Sequence, residues 1–585
     1  MRPVRTVPRL RLGPLLGGTF LLLVYIQLSK IQPFQAAAGV DANHISADEL
    51  RFWLAHWFLA WPALTLMALG FVDYLAPALD KLHGLLPSLS PARWRLAGLA
   101  YAVVLVGLAI AGRSWFLLDQ PVTDDENLVV FGARMLLEGD LSVPILEPDG
   151  AFTQNVTYRH EGRVSSFDYP GALLFHALAI GSGLGSLLYA LAAGLTGLAV
   201  AAAAQRLLGR GGAAVAAALW LVSPMTSALS MTEHAQLASR FFLAAALWLY
   251  LRLVTGAETP GRDGALVALA GGCAFLTRSA EAACVLVPVV VHLALRLRRD
   301  PRLRRAALAA APVAAAILGF YAWYNANVTG IWYLPPRYGP ERHLAGIPFG
   351  SPLYLLGANL GHNLLILLVM GLGPLGLAAL ALGIRKAAPW SVLLAGVGLQ
   401  VGLAILYDDT GIHIVGPIHF SETMLGLALL ATAGVLRGFE LLRGRGISRR
   451  VPATLLAAYL AGGLGLFAVV HDLGLRRQAR NSRMILGAVE EAGLENAIVL
   501  GASPVRLIFA HPDSRDTGSW VYWLPPPDPY FRDDVIFADP RTDLAALRER
   551  FPDRRLYGMS YHMDDPPVRI QALEWDGSPS AAADP

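Results

Sequence analysis

At 585 residues, 55% hydrophobic and 15% charged, with a mean hydropathy of +0.49, the chain lies outside the range of soluble globular domains and reads as a membrane protein. A net charge of +4 gives no ground for a nucleic-acid partner, because the basic residues sit in short clusters between apolar runs. The two cysteines, Cys273 and Cys284, both fall within apolar runs; no disulfide framework or CxxC metal site follows, and they read as small buried hydrophobes.

The N-terminal stretch MRPVRTVPRLRLGPLLGGTFLLLVYIQ joins a basic flank to an apolar run without a clear small-x-small cleavage site, so it reads as a retained first helix. Runs able to cross about 30 Å of hydrocarbon, roughly 20 residues each, follow at 14–30, 52–76, 96–118, 184–206, 211–230, 237–254, 262–278, 281–297, 305–324, 362–384, 389–407, 418–437 and 452–470. They predict an α-helical polytopic membrane protein of about thirteen transmembrane helices, with 262–278 and 281–297 short and closely joined.

With the N-terminus inside, one side of the membrane receives RPVRTVPRLR, the stretch holding Lys81, Arg93 and Arg95, QRLLGR, the Arg252–Arg262 link, RLRRDPRLRR, Arg385 with Lys386, and RGFELLRGRGISRR. Every one is basic, as the positive-inside rule requires of cytoplasmic loops. The external side takes the loops 119–170 and 325–355, YDDTG at 407–411, and a tail from about 471. That tail reads as a helix, the strands AIVLG, DVIFA and RLYGM, and a disordered end EWDGSPSAAADP. Three parts result: residues 1–95 with two additional N-terminal helices, a transmembrane core at 96–470, and a small extracytoplasmic α/β domain at 471–585.

The sequence TDDE at 123–126 opens the loop 119–170. Thr123 with Glu126 fits a capping box, and acids near a helix start offset its dipole. That reading requires neither a further acid nor a loop of roughly fifty residues, since most connections run about 4–6. A carboxylate at this face suits a general base on an acceptor hydroxyl, with a cation beside the phosphate that leaves a lipid-linked sugar.

TDDENLVVFGARMLLEGDL, FDYPGALLFHALA, LTRSAEA, WYNANVTGIWY, GPIHFSETMLGLALLATAGVL and RRLYGMSYH, in this order from about 96 to about 560, resemble bacterial membrane glycosyltransferases of the GT-C superfamily. These are relatives of the protein O-mannosyltransferases and of the lipid A aminoarabinose transferases. The resemblance rests on order and topology, each motif being weak alone. It implies Asp125 as catalytic base, Glu126 beside it, and Asp124 as a partner orienting Asp125. It also implies that Arg278 meets the lipid phosphate, although snorkelling or pairing with Glu281 suits an arginine there equally.

Glu233 and His234 occupy the neighbouring external turn and line the same cavity, or form a plain turn. The first loop adds Arg159, His160, Arg163, Asp168 and Tyr169, and the loop 325–355 adds Arg337 and Arg342. Arginines and aromatics suit phosphates and sugars, as they suit any interfacial loop. Many relatives read Gly-Pro-Arg where this chain has Gly416, Pro417 and Ile418, which puts a cation from that position in doubt. His413, His419 and Glu422 are groups of the kind that hold zinc, set against a simpler role as a polar helix cap; no metal is assigned.

The implied function is transfer of a sugar from a polyprenyl-phosphate donor to a glycan, lipid or protein acceptor at the outer face of the bacterial cytoplasmic membrane. Membrane lipids surround it, and no cofactor is called for beyond the lipid-linked donor; a divalent metal has no motif behind it. A flippase or transporter of lipid-linked sugars would carry charged or Gly/Pro-broken segments near mid-membrane, which these spans almost lack. A non-catalytic scaffold whose tail binds an envelope partner is the third class. With the N-terminus inside and an odd number of spans, a reporter fused after residue 475 is expected outside the cytoplasm; cytoplasmic activity of that reporter refutes the orientation.

Overall fold

The computed structural model describes residues 9–29, 54–148, 150–152, 157–338, 367, 370–384, 388–405, 412–413, 415–501, 527–561 and 568–578. The apolar runs become helices, among them Leu12–Ser29, Pro91–Phe116, Ser186–Val222, Ala235–Gly256, Pro260–Thr277, Ser279–Leu297, Pro301–Thr329, Gly373–Gly383, Trp390–Ile405, Thr423–Gly444 and Arg450–Gly462. Their ends follow local chemistry. Ser90 and Asp300 accept from the Arg93 and Arg302 N–H groups ahead of Pro91 and Pro301, and Gly330, at φ 73, stops the helix Pro301–Thr329.

Six of the helices are long and apolar enough to cross a membrane, or seven when the bent pair His56–Gly70 and Val72–Lys81 is taken as one span. The expected thirteen are not reached among the described residues. The run 52–76 is not one straight span, since it turns by 85° at Phe71. The runs 184–206 and 211–230 share the helix Ser186–Val222, kinked at Gly209 (φ 75), where glycine adopts the left-handed region without strain. Pro224 then starts a separate short helix, Pro224–Met231, because proline cannot continue the preceding one. Of 362–384, only Gly373–Gly383 is described as a continuous helix.

Helices Ser186–Val222, Ala235–Gly256 and Thr423–Gly444 supply the core, with Trp220, Leu243, Tyr250 and Leu427 buried. Gly373–Gly383 approaches Thr423–Gly444 closely enough that a Cβ on Gly434 would stand 1.6 Å from the Ala379 carbonyl oxygen. Trp61 stacks on Tyr459 with ring centres 4.6 Å apart and donates Nε1–H to the Tyr459 carbonyl at 3.1 Å, tying the N-terminal helices to the bundle.

The loop 119–170 is folded. Helix Asp124–Leu137 is followed by β1 (Val143–Pro144), β2 (Thr157–His160) and β3 (Arg163–Ser166), an antiparallel sheet of order β1-β3-β2. Glu161 and Gly162 close the β2–β3 hairpin with φ of 48 and 73, the pair of positive angles a type I′ turn needs. A short ladder pairs β4 (Ile412–His413) with β5 (Gly416–Pro417). The C-terminal sheet has order β7-β6-β8-β9, from β6 (Ala497–Leu500), β7 (Val535–Ala538), β8 (Arg555–Tyr561) and β9 (Val568–Leu573).

The first three of these strands are parallel and coincide with the three expected; β9 is antiparallel and was not expected. Alternation along β6 sends Ile498 and Leu500 to one face, with Leu547, Leu556, Ala151 and Phe152, and Val499 to the other, with Ile485 and Val489 from helix Val469–Glu491. Part of the end expected to be disordered is ordered, since Glu574 N–H donates to the Ser578 carbonyl at 2.8 Å. Gly434→Val must push two helices apart and is expected to destabilise the protein by about 1–3 kcal/mol. A thermal midpoint in detergent equal to that of the unmodified protein would show that the helices do not meet there.

Candidate active site

Helix Asp124–Leu137 starts after Thr123, whose backbone is extended at φ −140, ψ 160. Only half of the expected capping box forms: the Thr123 side chain makes no cap, whereas the Glu126 carboxylate accepts from the Thr123 backbone N–H. Thr123 Oγ1 lies 3.0 Å from His234 Nε2. Glu126, only 3% exposed, accepts from the Val122 N–H through Oε2 and from the Glu233 N–H through Oε1, each at 2.8 Å. Arg113 stands between two carboxylates, with Nη2 3.0 Å from Glu233 Oε1 and Nη1 3.9 Å from Glu126 Oε1. His176 Nε2 is 3.8 Å from Glu233 Oε2, and its Nδ1 pairs with the Tyr189 hydroxyl. Burial lifts the Glu126 carboxyl above its ordinary range, against the pull of Arg113 and the backbone donors.

Asp125 is half-buried and, one residue earlier on the helix, points about 100° away from Glu126. Its charge acts on Asp168 and His234. Asp168 is 6% exposed. Burial first, then repulsion from Asp125, pushes its carboxyl up to about 7, while Arg337, Arg278 and a hydrogen bond with Ser166 pull downward. The Arg337 guanidinium sits over the Phe167 ring at 4.6 Å. Buried His234 is held down to about 4, by desolvation above all, so its ring is neutral near pH 7.

The FDYPG stretch folds this way for steric reasons. Pro170 opens helix Pro170–Gly181, and a Cβ on Gly171 would come within 2.6 Å of the Leu276 carbonyl carbon. The segment therefore lies directly on the end of helix Pro260–Thr277, which brings Asp168 toward Arg278. Across it, Gly132 admits Ser166 against helix Asp124–Leu137, where a Cβ would stand 2.6 Å from that side chain.

Arg278 occupies the break between helices Pro260–Thr277 and Ser279–Leu297 at φ −153, ψ 86. Its Nη2 pairs with Glu281 Oε1 and lies 3.3 Å from His419 Nδ1, and its Nε is 3.2 Å from Glu422 Oε1. Glu422 is fully buried and accepts from Ser421 Oγ at 2.6 Å, while Gln400 Nε2 donates to the His419 carbonyl at 3.0 Å. Pairing with Glu281, one of the roles open to Arg278 from sequence, is what the geometry has, with a second carboxylate added. Arg240, fully buried over the Trp220 ring at 5.6 Å, has no hydrogen-bond partner for Nε or Nη1 among the described residues.

Asp125, Asp168, His234, Arg278 and Arg337 thus share one electrostatic neighbourhood, with Glu126 and Glu233 behind it. Tyr169 is buried beside it at 2% exposure. Arg163 is elsewhere, exposed and bonded to Ser142, with Nε 2.7 Å from its Oγ. Arg159 lines a small cavity with Phe131, Leu146 and Phe152, and His160 stacks on Tyr158 at 6.1 Å next to Gly330. Ile418 is a buried apolar residue. Arg342 and the side chains of Asp124 and His413 lie outside the described residues. Among the described residues no three His, Cys, Asp or Glu side chains form a group able to hold a metal.

Sequence reasoning missed Arg113 and His176. Arg113 had a usable signal: an ionisable residue inside the apolar run 96–118 is rare without a function. The Asp168 carboxyl is expected to titrate near pH 7 in difference infrared spectra, assigned with Asp168→Asn. Asp125→Asn removes the repelling charge and should lower that midpoint; an unchanged midpoint would mean the two carboxyls do not interact.

Residues 173–324 match the family of dolichyl-phosphate-mannose-protein mannosyltransferases. No curated protein matches the chain in sequence. The fold is similar to that of ArnT from Cupriavidus metallidurans in the apo state, with a TM-score of 0.50 and 14% identity over 84% of this chain and 99% of that one. It is equally similar to ArnT from the same organism bound to undecaprenyl phosphate, with a TM-score of 0.50 and 15% identity over 83% of this chain and 98% of that one. At these identities the structural likeness is one of fold. The resemblance to membrane glycosyltransferases of the GT-C superfamily is borne out, by the sequence of residues 173–324 and by the fold of most of the chain.

Proposed function

We propose that this membrane protein transfers a sugar from a polyprenyl-phosphate donor to a hydroxyl acceptor at the outer face of the bacterial cytoplasmic membrane. The observation that carries the reading is the meeting of Asp125, Asp168 and neutral His234 with the cation Arg337, at the start of the helix that opens the first external loop. The matching mannosyltransferase family and the undecaprenyl phosphate bound by ArnT support a lipid-linked donor. The basic loops support the orientation.

In this reading Asp125 accepts the proton of the acceptor hydroxyl as its oxygen bonds to the anomeric carbon. The bond from that carbon to the phosphate oxygen breaks, its electron pair stays on the phosphate, and polyprenyl phosphate departs. Asp168 lies close enough to share the proton economy of the pair, and His234, neutral at working pH, adds no charge beside the base. Arg337 is the cation we assign to the departing phosphate. Arg278 is already held by Glu281 and Glu422, so it shapes the potential of the site more than it binds a third anion. Glu126, committed to two backbone N–H groups, supports the helix and does not take the proton.

The deciding test is Asp125→Asn, which keeps the shape of the side chain and removes its basicity. Incorporation of labelled sugar from a polyprenyl-phosphate donor, in membranes holding matched amounts of each variant, is expected to fall on the order of 100-fold or more. Arg337→Gln should raise the KM for the donor. Full activity in Asp125→Asn would sink the assignment of the base.

A further inference from the structure

Helix Asp124–Leu137 has two ends, and the function proposed above uses only the first. Its last turn carries Arg134, and Glu138 and Asp140 follow directly. All three meet one short segment nearly 400 residues away in sequence, the turn 528–533 that leads into β7. Arg134 Nη1 is 3.2 Å from both carboxylate oxygens of Asp533 and 3.8 Å from Asp528 Oδ2. Arg532 Nη1 donates to Glu138 Oε1 at 2.7 Å, and the Tyr530 hydroxyl donates to Asp140 Oδ2.

The turn presenting these groups is itself braced. Asp533 Oδ2 accepts from the Asp528 N–H at 2.7 Å, and Arg532 Nε donates to Asp528 Oδ1 at 3.1 Å. Just beyond the helix, the chain continues into the sheet's own core: the Asp539 N–H donates to the Ala151 carbonyl at 3.0 Å, and Phe152 packs edge-on against Phe531 at 5.0 Å. Single exposed ion pairs contribute little. Three contacts within two turns of chain, joined to a buried aromatic anchor, define an orientation, because each pair fixes a different point of the helix end.

We propose that the turn 528–533 of the C-terminal sheet is the positioning element of the active site, setting the tilt of helix Asp124–Leu137 and through it the place of Asp125 against Asp168 and His234. Arg134, Glu138 and Asp140 are its receivers. This rests on the reading of Asp125 as the base. The leverage is geometric. The helix has 14 residues and is therefore about 21 Å long. A tilt of about 3° at the clamped end moves the first turn by about 1 Å, a displacement of the size that costs on the order of 100-fold in rate.

The test uses the full-length protein in nanodiscs. Arg134→Gln is expected to lower kcat about tenfold or more with the donor KM held within about twofold, since the donor's own contacts are untouched. Arg541→Gln breaks the ion pair with Asp539 on the same sheet and should leave kcat unchanged. Where Arg134→Gln fails to fold, Arg134→Lys keeps the charge, loses the fork and should give a smaller loss of kcat.

An activity-independent arm follows the infrared midpoint of Asp168, which should move in Arg134→Gln as Asp125 changes its distance. Full kcat with only a lowered thermal midpoint, or an unmoved Asp168 midpoint, overturns the positioning role. Activity retained in Asp125→Asn defeats the base assignment instead, and the infrared arm then decides the positioning question alone.

Discussion

The arrangement of the site depends on one buried carboxylate. Glu126 has lost its water and is stable only because two backbone N–H groups and a nearby guanidinium replace it. One N–H belongs to the residue before its own helix cap, and the other to the turn between helices Pro224–Met231 and Ala235–Gly256. Losing the carboxylate would leave both donors buried and unpaired, at roughly 1–3 kcal/mol each. Because successive residues on a helix diverge by about 100°, fixing Glu126 on one side leaves Asp125 turned to another. Adjacent acids thereby acquire separate roles, one locked by the backbone and one facing His234 and Asp168.

The same constraint acts twice in the interior. Arg113 stands between Glu126 and Glu233, and Arg278 between Glu281 and Glu422. Each arginine therefore serves two carboxylates at once. Arg337, on the loop that follows helix Pro301–Thr329, lies over the Phe167 ring and acts on both Asp168 and Glu281, so it belongs to the same electrostatic neighbourhood.

Much of the fold was legible. Apolar length gave the helices, and the β-rich runs AIVLG, DVIFA and RLYGM gave three strands of the C-terminal sheet. What escaped depended on tertiary contacts or on weaker local signals. Thr123 and Glu126 stand at capping-box spacing, yet the Thr123 hydroxyl turns to His234 and the Glu126 carboxylate also takes the Glu233 N–H, both more than a hundred residues away. The bend at Phe71 has no proline or glycine at its own position to announce it. The hairpin at Glu161–Gly162 carried a local signal, a glycine between two β-rich runs, inside a stretch read only as a long external loop. Asp125 was singled out through family resemblance; Asp168 as its electrostatic neighbour required knowing that Gly171 lets the chain lie on Leu276.

The folded state of the long external loop has its own physical cause. Helix Asp124–Leu137 and the small sheet β1-β3-β2 enclose too little apolar surface to be stable alone. The four-stranded C-terminal sheet faces the same difficulty, since one of its faces is covered only in part by the short helix Leu544–Arg550. Ala151 and Phe152 of the loop complete that face among Ile498, Leu500, Ile536 and Leu547, so the two segments share a single core. Each is thus ordered by the other, although most of the transmembrane chain separates them in sequence. Helix Asp124–Leu137 packs beside that shared core, with Phe131 and Met135 against Val143 and Val164 of the small sheet and Leu146 common to both clusters.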